Sequence, residues 1–240
     1  MARCVTLRPM SRNTPHEPRL ARVAAMVADP ARSRMLAYLL SGECASASEL
    51  AKAASVTPAT ASGHLAQLLE ARFVACEPRG RHRYYRLADA DVAHALEALA
   101  VVAERGDHEQ QWASSPERAR LREARCCYGH LAGRLGTRLF DGLMAAGGLQ
   151  PASSGYTLTD SGRAWCQRLG FEPPEPGRKR RYAYPCLDWS ERRDHLAGEL
   201  ADRLYLHLVA QGWVRRGTGR DVAVTPVGQR ALLPLLAPIP

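Results

Sequence analysis

The stretch SASELAKAASVTPATASGHLAQLLEARFVACEPRGRHRYYRL, residues 46–87, decides the fold. Ser46 with Glu49 three positions on fits a capping box, and Leu50, Ala51 and Ala54 make a short amphipathic helix before a turn at Ser55 and Val56. Thr57 caps a second helix with Pro58 at its first position, where the missing amide is no loss. Ala61, Leu65, Leu68 and Leu69 fall on one side of that helix, while Thr60, Ser62, Gly63, His64 and Gln67 fall on the other. The second side is short, polar and nearly uncharged, so it can approach base edges without blocking the groove or repelling phosphate. An ordinary surface helix would carry the same pattern, and the next segment distinguishes the two. FVACEPRGRHRYYRL alternates as a strand, turns at residues 78–81 and returns as a second strand, carrying Arg79, Arg81, His82, Arg83 and Arg86 with Tyr84 and Tyr85 interleaved. A basic hairpin directly after a helix pair is a wing, placed to touch backbone phosphates while the helix reads bases.

Upstream, Val23, Met26 and Val27, then Met35, Leu36, Leu39 and Leu40, recur at helical spacing. Asp29 followed by Pro30 is a fresh N-cap between them, so two helices precede Gly42. Composition agrees with an anionic partner: the chain has 240 residues and a net charge of +9, and all but Lys52 and Lys179 of its 33 lysines and arginines are arginine. Arginine matches phosphate geometry best, so nucleic acid leads the partner classes. The length suits two domains. There is no long apolar run for a membrane span and no apolar core for a secretory signal near the amino terminus. Seven irregularly spaced cysteines do not form a disulfide framework, and reduced thiols in the cytoplasm are the expectation.

Through ELAKAASVTPATASGHLAQLLEARFV and RGRHRYYRL, residues 20–105 resemble the winged-helix repressors of the arsenic-repressor (ArsR/SmtB) family. The resemblance implies a homodimer joined through its first and last helices, bound to double-stranded, palindromic operator DNA and released by an inducer. It places the helix containing TPATASGHLAQL in the major groove. Its contact candidates here are Thr57, Ala59, Thr60, Ser62, Gly63, His64 and Gln67, with Arg79, Arg81, His82, Arg83 and Tyr84 on the wing. Two metal sites known in that family do not match. Ser46 and Ser48 stand where a Cys-x-Cys pair would be, with Cys44 alone nearby, and a second site keeps Asp89 but meets Asp91, Val102 and Arg105. His94 reads as a dimer-interface or surface residue.

The second half of the chain is a tandem repeat. HLAGRLGTRLFDGLMAAGGL at 130–149 lies over HLAGELADRLYLHLVAQGWV at 195–214, and Thr159 and Gly162 meet Thr225 and Gly228 farther on. Each unit reads as a helix, a glycine turn, a short strand and a Thr-x-x-Gly helix start, and two such units bury a face that neither could bury alone. Ala132-Gly133 and Ala197-Gly198 are expected to let two helices approach closely, with His130 and His195 near each other or in equivalent surroundings. Cys126 and Cys127 share a helical face or edge with His130, and Cys186 and Asp188 lie upstream of His195. Together Cys126, Cys127, His130, Cys186, Asp188 and His195 form the candidate sensing set, able to hold a thiophilic or borderline metal ion. Plain packing and thiol sensing, with Arg122, Arg125 and Arg134 lowering a thiol pKa, stand beside that reading. GRKRRY at 177–182 is either a solvated loop or a phosphate contact.

The expected fold is mainly α with small β: a winged helix-turn-helix domain and a C-terminal α+β domain of two similar winged-helix-like halves. A flexible segment spans 1–18, the DNA-binding and dimerisation domain 19–105, a linker 106–118 and the repeat domain 119–240, with halves 119–174 and 184–240. The expected function is a cytoplasmic, dimeric transcriptional repressor, not an enzyme, whose inducer is a metal or metalloid ion, a thiol oxidant or a small molecule. The alternative is a thiol-dependent enzyme or redox protein, in which Cys127 or Cys186 acts with His130 or His195 and the winged helix is an interaction module.

Overall fold

A computed structural model describes residues 17–79, 82–103, 115–177 and 180–236. Residues 1–16 of the expected flexible segment and 106–114 of the expected linker lie outside the described residues. The first domain runs α1 (Glu17–Ala28), α2 (Pro30–Leu39), β1 (Ala45–Ser46), α3 (Ala47–Ala54), α4 (Pro58–Glu70), β2 (Val74–Arg79), β3 (His82–Leu87) and α5 (Ala90–Ala103). Its punctuation is local chemistry. The Asp29 side chain accepts from the Arg32 amide, Ser46 and Glu49 form the reciprocal capping box, and Thr57 accepts from the Thr60 amide. Ala61, Leu65 and Leu68 anchor α4 in the core, and Leu69 is only half-buried. Burying each leucine contributes about 2 kcal/mol, which fixes the face α4 turns outward. β2, β3 and β1 form an antiparallel sheet in which Ala45 pairs with Tyr85 and Cys76 with the same tyrosine from the other side.

After α6 (Pro116–Glu123), which begins inside the expected linker, the repeat domain is built twice in one order. The first half is β4 (Arg125–Cys127), β5 (His130–Ala132), α7 (Gly133–Ala145), β6 (Leu149–Ala152), β7 (Gly155–Leu158) and α8 (Asp160–Arg168). The second is β8 (Tyr184–Leu187), β9 (Asp194–Ala197), α9 (Glu199–Ala210), β10 (Val214–Arg216), β11 (Val222–Val224) and α10 (Pro226–Leu232). Each half is therefore hairpin, helix, hairpin, helix. This corrects the expected winged-helix-like order: the HLA of each repeat is the second strand of a hairpin, not the start of a helix.

The glycine that follows explains its own recurrence. Gly133 has φ +78° and Gly198 φ +99°, and each turns a strand directly into a helix. A Cβ there would sit 2.7 Å from the Arg122 carbonyl oxygen at the end of α6 and 2.6 Å from that of Tyr182 just ahead of β8, so Gly133 lets one helix start against the end of another, while Gly198 admits an extended segment. The Thr-x-x-Gly starts are matched to the same degree: Thr159 Oγ1 accepts from the Gly162 amide at 3.1 Å and donates to the Gly147 carbonyl at 2.8 Å, and Thr225 accepts from Gly228 at 3.0 Å and donates to Gly212 at 2.8 Å.

The halves are interlocked. α7 packs on β9 of the second half, α9 packs on β5 of the first, and β5 lies against β9. The backbone is exchanged as well, since Tyr156 bridges to Ala183 and Arg125 to Asp221. One apolar core, including Leu135, Leu139, Leu143, Trp165, Leu200, Tyr205 and Leu208, draws on both halves.

Three buried charges join this domain to the first. Arg125 has no exposed side-chain surface; its Nη2 lies 3.0 Å from Asp188 Oδ2 and 3.7 Å from Glu97 Oε2, and its guanidinium lies over Trp189 at 4.5 Å. Glu97, on the face of α5 that also buries Ala93 and Val101, is paired on its other side with Arg220. Burial alone would push the Glu97 carboxyl up, but Arg220 and Arg125 hold it below its ordinary value. Backbone contacts complete the joint: the Tyr128 amide donates to the Leu40 carbonyl at 2.6 Å, and the Cys126 thiol donates to the Ser41 carbonyl at 3.1 Å.

Two outcomes follow for stability. Gly133→Ala and Gly198→Ala each force a side chain into a left-handed turn against a carbonyl and cost about 1–3 kcal/mol, read as a lowered midpoint in chemical denaturation. Glu97→Ala takes the carboxylate from between Arg220 and Arg125, leaving Arg220 without its acidic partner and Arg125 with Asp188 alone, and costs about 3 kcal/mol or more, uncoupling the two domains in calorimetry. Because the Glu97 carboxyl is held below its ordinary value, its contribution is present at neutral pH and is lost as the pH falls below about 4.

Candidate nucleic-acid interface and buried Cys/His centre

α4 presents Thr57, Ala59, Thr60, Ser62, Gly63 and Gln67 to solvent, with His64 half-buried. These side chains are partly held in place. Thr57 Oγ1 and Thr60 Oγ1 are 2.9 Å apart, Ser62 Oγ donates to the Pro58 carbonyl at 2.9 Å, and Gln67 Oε1 accepts from Arg32 at 2.6 Å. His64 Nδ1 lies 3.9 Å from Asp29 Oδ1, so it leans toward the start of α2. Gly63 stands apart: a Cβ added there would meet nothing within 4 Å, so no neighbour in the chain requires glycine at the middle of this helix.

On the wing, Arg83 is exposed, and the guanidinium of Arg79 lies 5.6 Å from the centre of the half-buried Tyr84 ring. Arg81 lies outside the described residues, and His82 is placed as the first residue of β3. Arg86 is committed internally, donating to Glu77 at 2.6 Å and to the carbonyls of Leu87 and Ala88. In the GRKRRY segment, Arg178 and Lys179 lie outside the described residues, Arg180 is paired with Asp202, and Arg181 lies over Tyr184 at 3.7 Å.

The second cluster comes from the first hairpin of each half. Cys127 is the cross-strand partner of His130, and Cys186 is the cross-strand partner of His195. The spacing of three between Cys127 and His130 is therefore a two-residue hairpin and not a helical face. Tyr128 at φ +49° and Gly129 at φ +109° supply the paired positive φ that such a turn demands. Cys186 is thus the counterpart of Cys127 in the second half. The second hairpin reaches the same pairing through a longer loop.

One ligand atom from each of Cys127, His130, Cys186 and His195 lies within 4.8 Å of all the others, and all four residues are buried. The two imidazole centroids are 5.1 Å apart. Nδ1 of His195 lies 3.3 Å from Asp188 Oδ2, and Nδ1 of His130 lies 3.5 Å from Asp202 Oδ1. Neither Nε2 has a hydrogen-bond partner. Among the described residues, these four are the set able to hold a metal ion.

Cys126 and Asp188, expected in the same set, stand outside it. Adjacent strand residues face opposite ways, so Cys126 points at the Ser41 carbonyl. Asp188 is occupied by the Gly133 amide at 2.7 Å, by Arg125 and by the Ser190 hydroxyl at 2.8 Å. The expected thiol activation is reversed. Burial pushes the Cys126 thiol up to about 11, and the neighbouring Cys186 thiol together with burial pushes Cys127 up to about 12. The nearby arginines are committed to carboxylates, Arg122 to Glu191, Arg125 to Asp188 and Arg134 to Glu123. His94 is half-buried with its ring edge-on to Tyr184 at 5.1 Å, so it faces the repeat domain. No helix among the described residues is long and apolar enough to cross a membrane.

A helix-turn-helix domain model matches residues 27–77. The chain is 38% identical over 216 residues to YdfF of Bacillus subtilis, described as an uncharacterized HTH-type transcriptional regulator, covering 89% of this chain and 95% of that one. The HTH-type transcriptional regulator CmtR of Mycobacterium tuberculosis is 37% identical over 94 residues, 39% of this chain and 79% of that one. Among solved structures, a homodimeric winged helix-turn-helix DNA-binding domain from Mycobacterium bovis, a possible ArsR-family regulator, covers 41% of this chain and 98% of its own at 29% identity and a TM-score of 0.34. The match to YdfF extends through the repeat domain, so the alternative of a thiol-dependent enzyme gives way. The chain belongs to the HTH-type transcriptional regulators.

Proposed function

We propose that the protein is a dimeric repressor that binds a palindromic operator through α4 and the wing and leaves it when an inducer binds the repeat domain. The observation that carries operator binding is the outward face of α4. Its side chains are small and polar, and Gly63 accepts the cost of glycine in a helix, about 1 kcal/mol, with no neighbour of its own to fit. A backbone that must press into the major groove explains that choice. Exposed Arg83 and Arg79 beside α4 supply phosphate contacts.

Dimerisation through α1 and α5 is supported by what those helices leave uncovered. Leu20 and Val23 on α1, and Leu99 and Val102 on α5, are exposed apolar residues. Because α5 buries Glu97 against Arg125 and Arg220, movement of the repeat domain is transmitted to the helix that would join the protomers. Half-sites lie about 34 Å apart, so a small change in spacing weakens binding. Of the inducer classes, a small molecule is favoured over a thiol oxidant. A cleft of about 560 Å³ between the halves has Leu135, Val222 and Leu232 on its floor and Arg134 at its rim, whereas the Cys126 and Cys127 thiols are buried away from a soluble oxidant.

Gel shift with the protein's own upstream DNA should give a sequence-selective complex that weakens steeply with salt; its absence overturns the reading. Arg83→Ala should weaken binding about equally on all sequences and lower the salt slope by about one. Gly63→Ala should move two readouts in opposite directions, raising stability by up to about 1 kcal/mol while lowering operator affinity. A variant that binds as tightly as the parent would remove the argument from Gly63.

A further inference from the structure

We propose that Cys127, His130, Cys186 and His195 form a closed, four-coordinate site for one zinc-class divalent ion that fastens the first hairpin of one half to the first hairpin of the other. This stands apart from operator binding and is tested without DNA.

The duplication builds the site. Directly opposed residues of an antiparallel pair project to the same face, so each hairpin delivers one thiol and one imidazole together. Packing of β5 against β9 then brings the two pairs face to face, with their ligand atoms within 4.8 Å of one another. In a tetrahedral zinc site, bonds of about 2.0–2.3 Å place ligand atoms about 3.3–3.8 Å apart, so a contraction of about 1 Å completes the geometry. Two sulfurs and two nitrogens select a zinc-class ion over calcium or magnesium, which take oxygen.

The surroundings are those a cation requires. His130 and His195 are 3% and 0% exposed, and each has a buried Nε2 without a hydrogen-bond partner. Such an atom destabilises the fold if nothing meets it, and one ion between them meets both. On the far side of each ring, Asp202 and Asp188 face Nδ1, the arrangement in which an outer carboxylate orients a ligating imidazole. Both thiols release their protons to solvent on binding, and the two thiolates neutralise the ion. A disulfide between Cys127 and Cys186 would leave both Nε2 atoms unmet, so the imidazoles favour the ion. With four protein ligands, all buried, the site has no open position. The ion is a resident structural one, and the inducer acts elsewhere.

Elemental analysis of the full-length protein purified under reducing conditions should find about one zinc per chain. After chelation under reductant, titration with cobalt(II) alone should give the absorption bands of a tetrahedral, thiolate-bound ion that saturate at one equivalent. Cys126→Ser should keep metal and spectrum, whereas Cys127→Ser and Cys186→Ser should each lose them or weaken the thiolate-to-cobalt band. If the substituted chains fail to fold, the cobalt titration of the unsubstituted protein decides alone. Folded protein that neither carries zinc nor gives the cobalt spectrum overturns the proposal. So does full metal retention in the double variant Cys127→Ser/Cys186→Ser, or a Cys127–Cys186 disulfide in metal-free protein purified without reductant.

Discussion

A guanidinium withdrawn entirely from water has to be matched by carboxylates, and Arg125 finds them in two distant parts of the chain. Asp188 comes from the second half of the repeat domain and Glu97 from α5 of the winged-helix domain, while the ring of Trp189 covers the guanidinium. Removing any one of these charges weakens the pairing of its neighbours in a place that water does not reach. Its geometry sets the docking of α5, the position of the first hairpin and the orientation of Asp188, which in turn faces His195. A single ionic cluster thereby ties the candidate nucleic-acid interface to the buried Cys/His centre. It runs through buried, mutually paired side chains.

The winged-helix domain was readable because its signals are local. Asp29, Ser46 and Thr57 cap the helices they announce, and spacing alone places Ala61, Leu65 and Leu68 in the core. The repeat was visible as repetition, but its secondary structure was not. A spacing of three between Cys127 and His130 fits one turn of a helix and the closure of a two-residue hairpin equally well. The discriminating sign was Tyr128-Gly129, since a glycine at the second turn position favours the hairpin. The equivalence of Cys186 to Cys127 was hidden for a different reason. Alignment from HLAG backwards compares residues position by position, and the longer loop of the second hairpin carries Cys186 out of register while leaving its pairing with His195 intact.

Side-chain direction accounts for the remaining differences. Cys126 and Cys127 are neighbours in sequence but belong to opposite faces of β4, one serving the joint to the first domain and the other the centre between the halves. Nothing in the order of residues states which face is which until β5 and β9 are placed. Likewise, arginines near a thiol matter only if they are uncommitted, and Arg122, Arg125 and Arg134 are each met by a carboxylate. Charge density along a sequence is a poor guide to the field at a buried atom when the partners come from elsewhere in the fold.

The interlocking of the halves also governs the order in which the chain can acquire its structure. β5 receives its covering helix from α9, and β9 receives its own from α7, so the first half leaves the ribosome with an apolar hairpin whose partner has not yet been made. Contacts of such long sequence separation are slow to form, because the intervening chain must close before any of them is gained. The winged-helix domain, whose core is complete by Ala93, can fold while the rest is still being synthesised. The repeat domain, whose core draws on both halves, completes that core only once α9 is present.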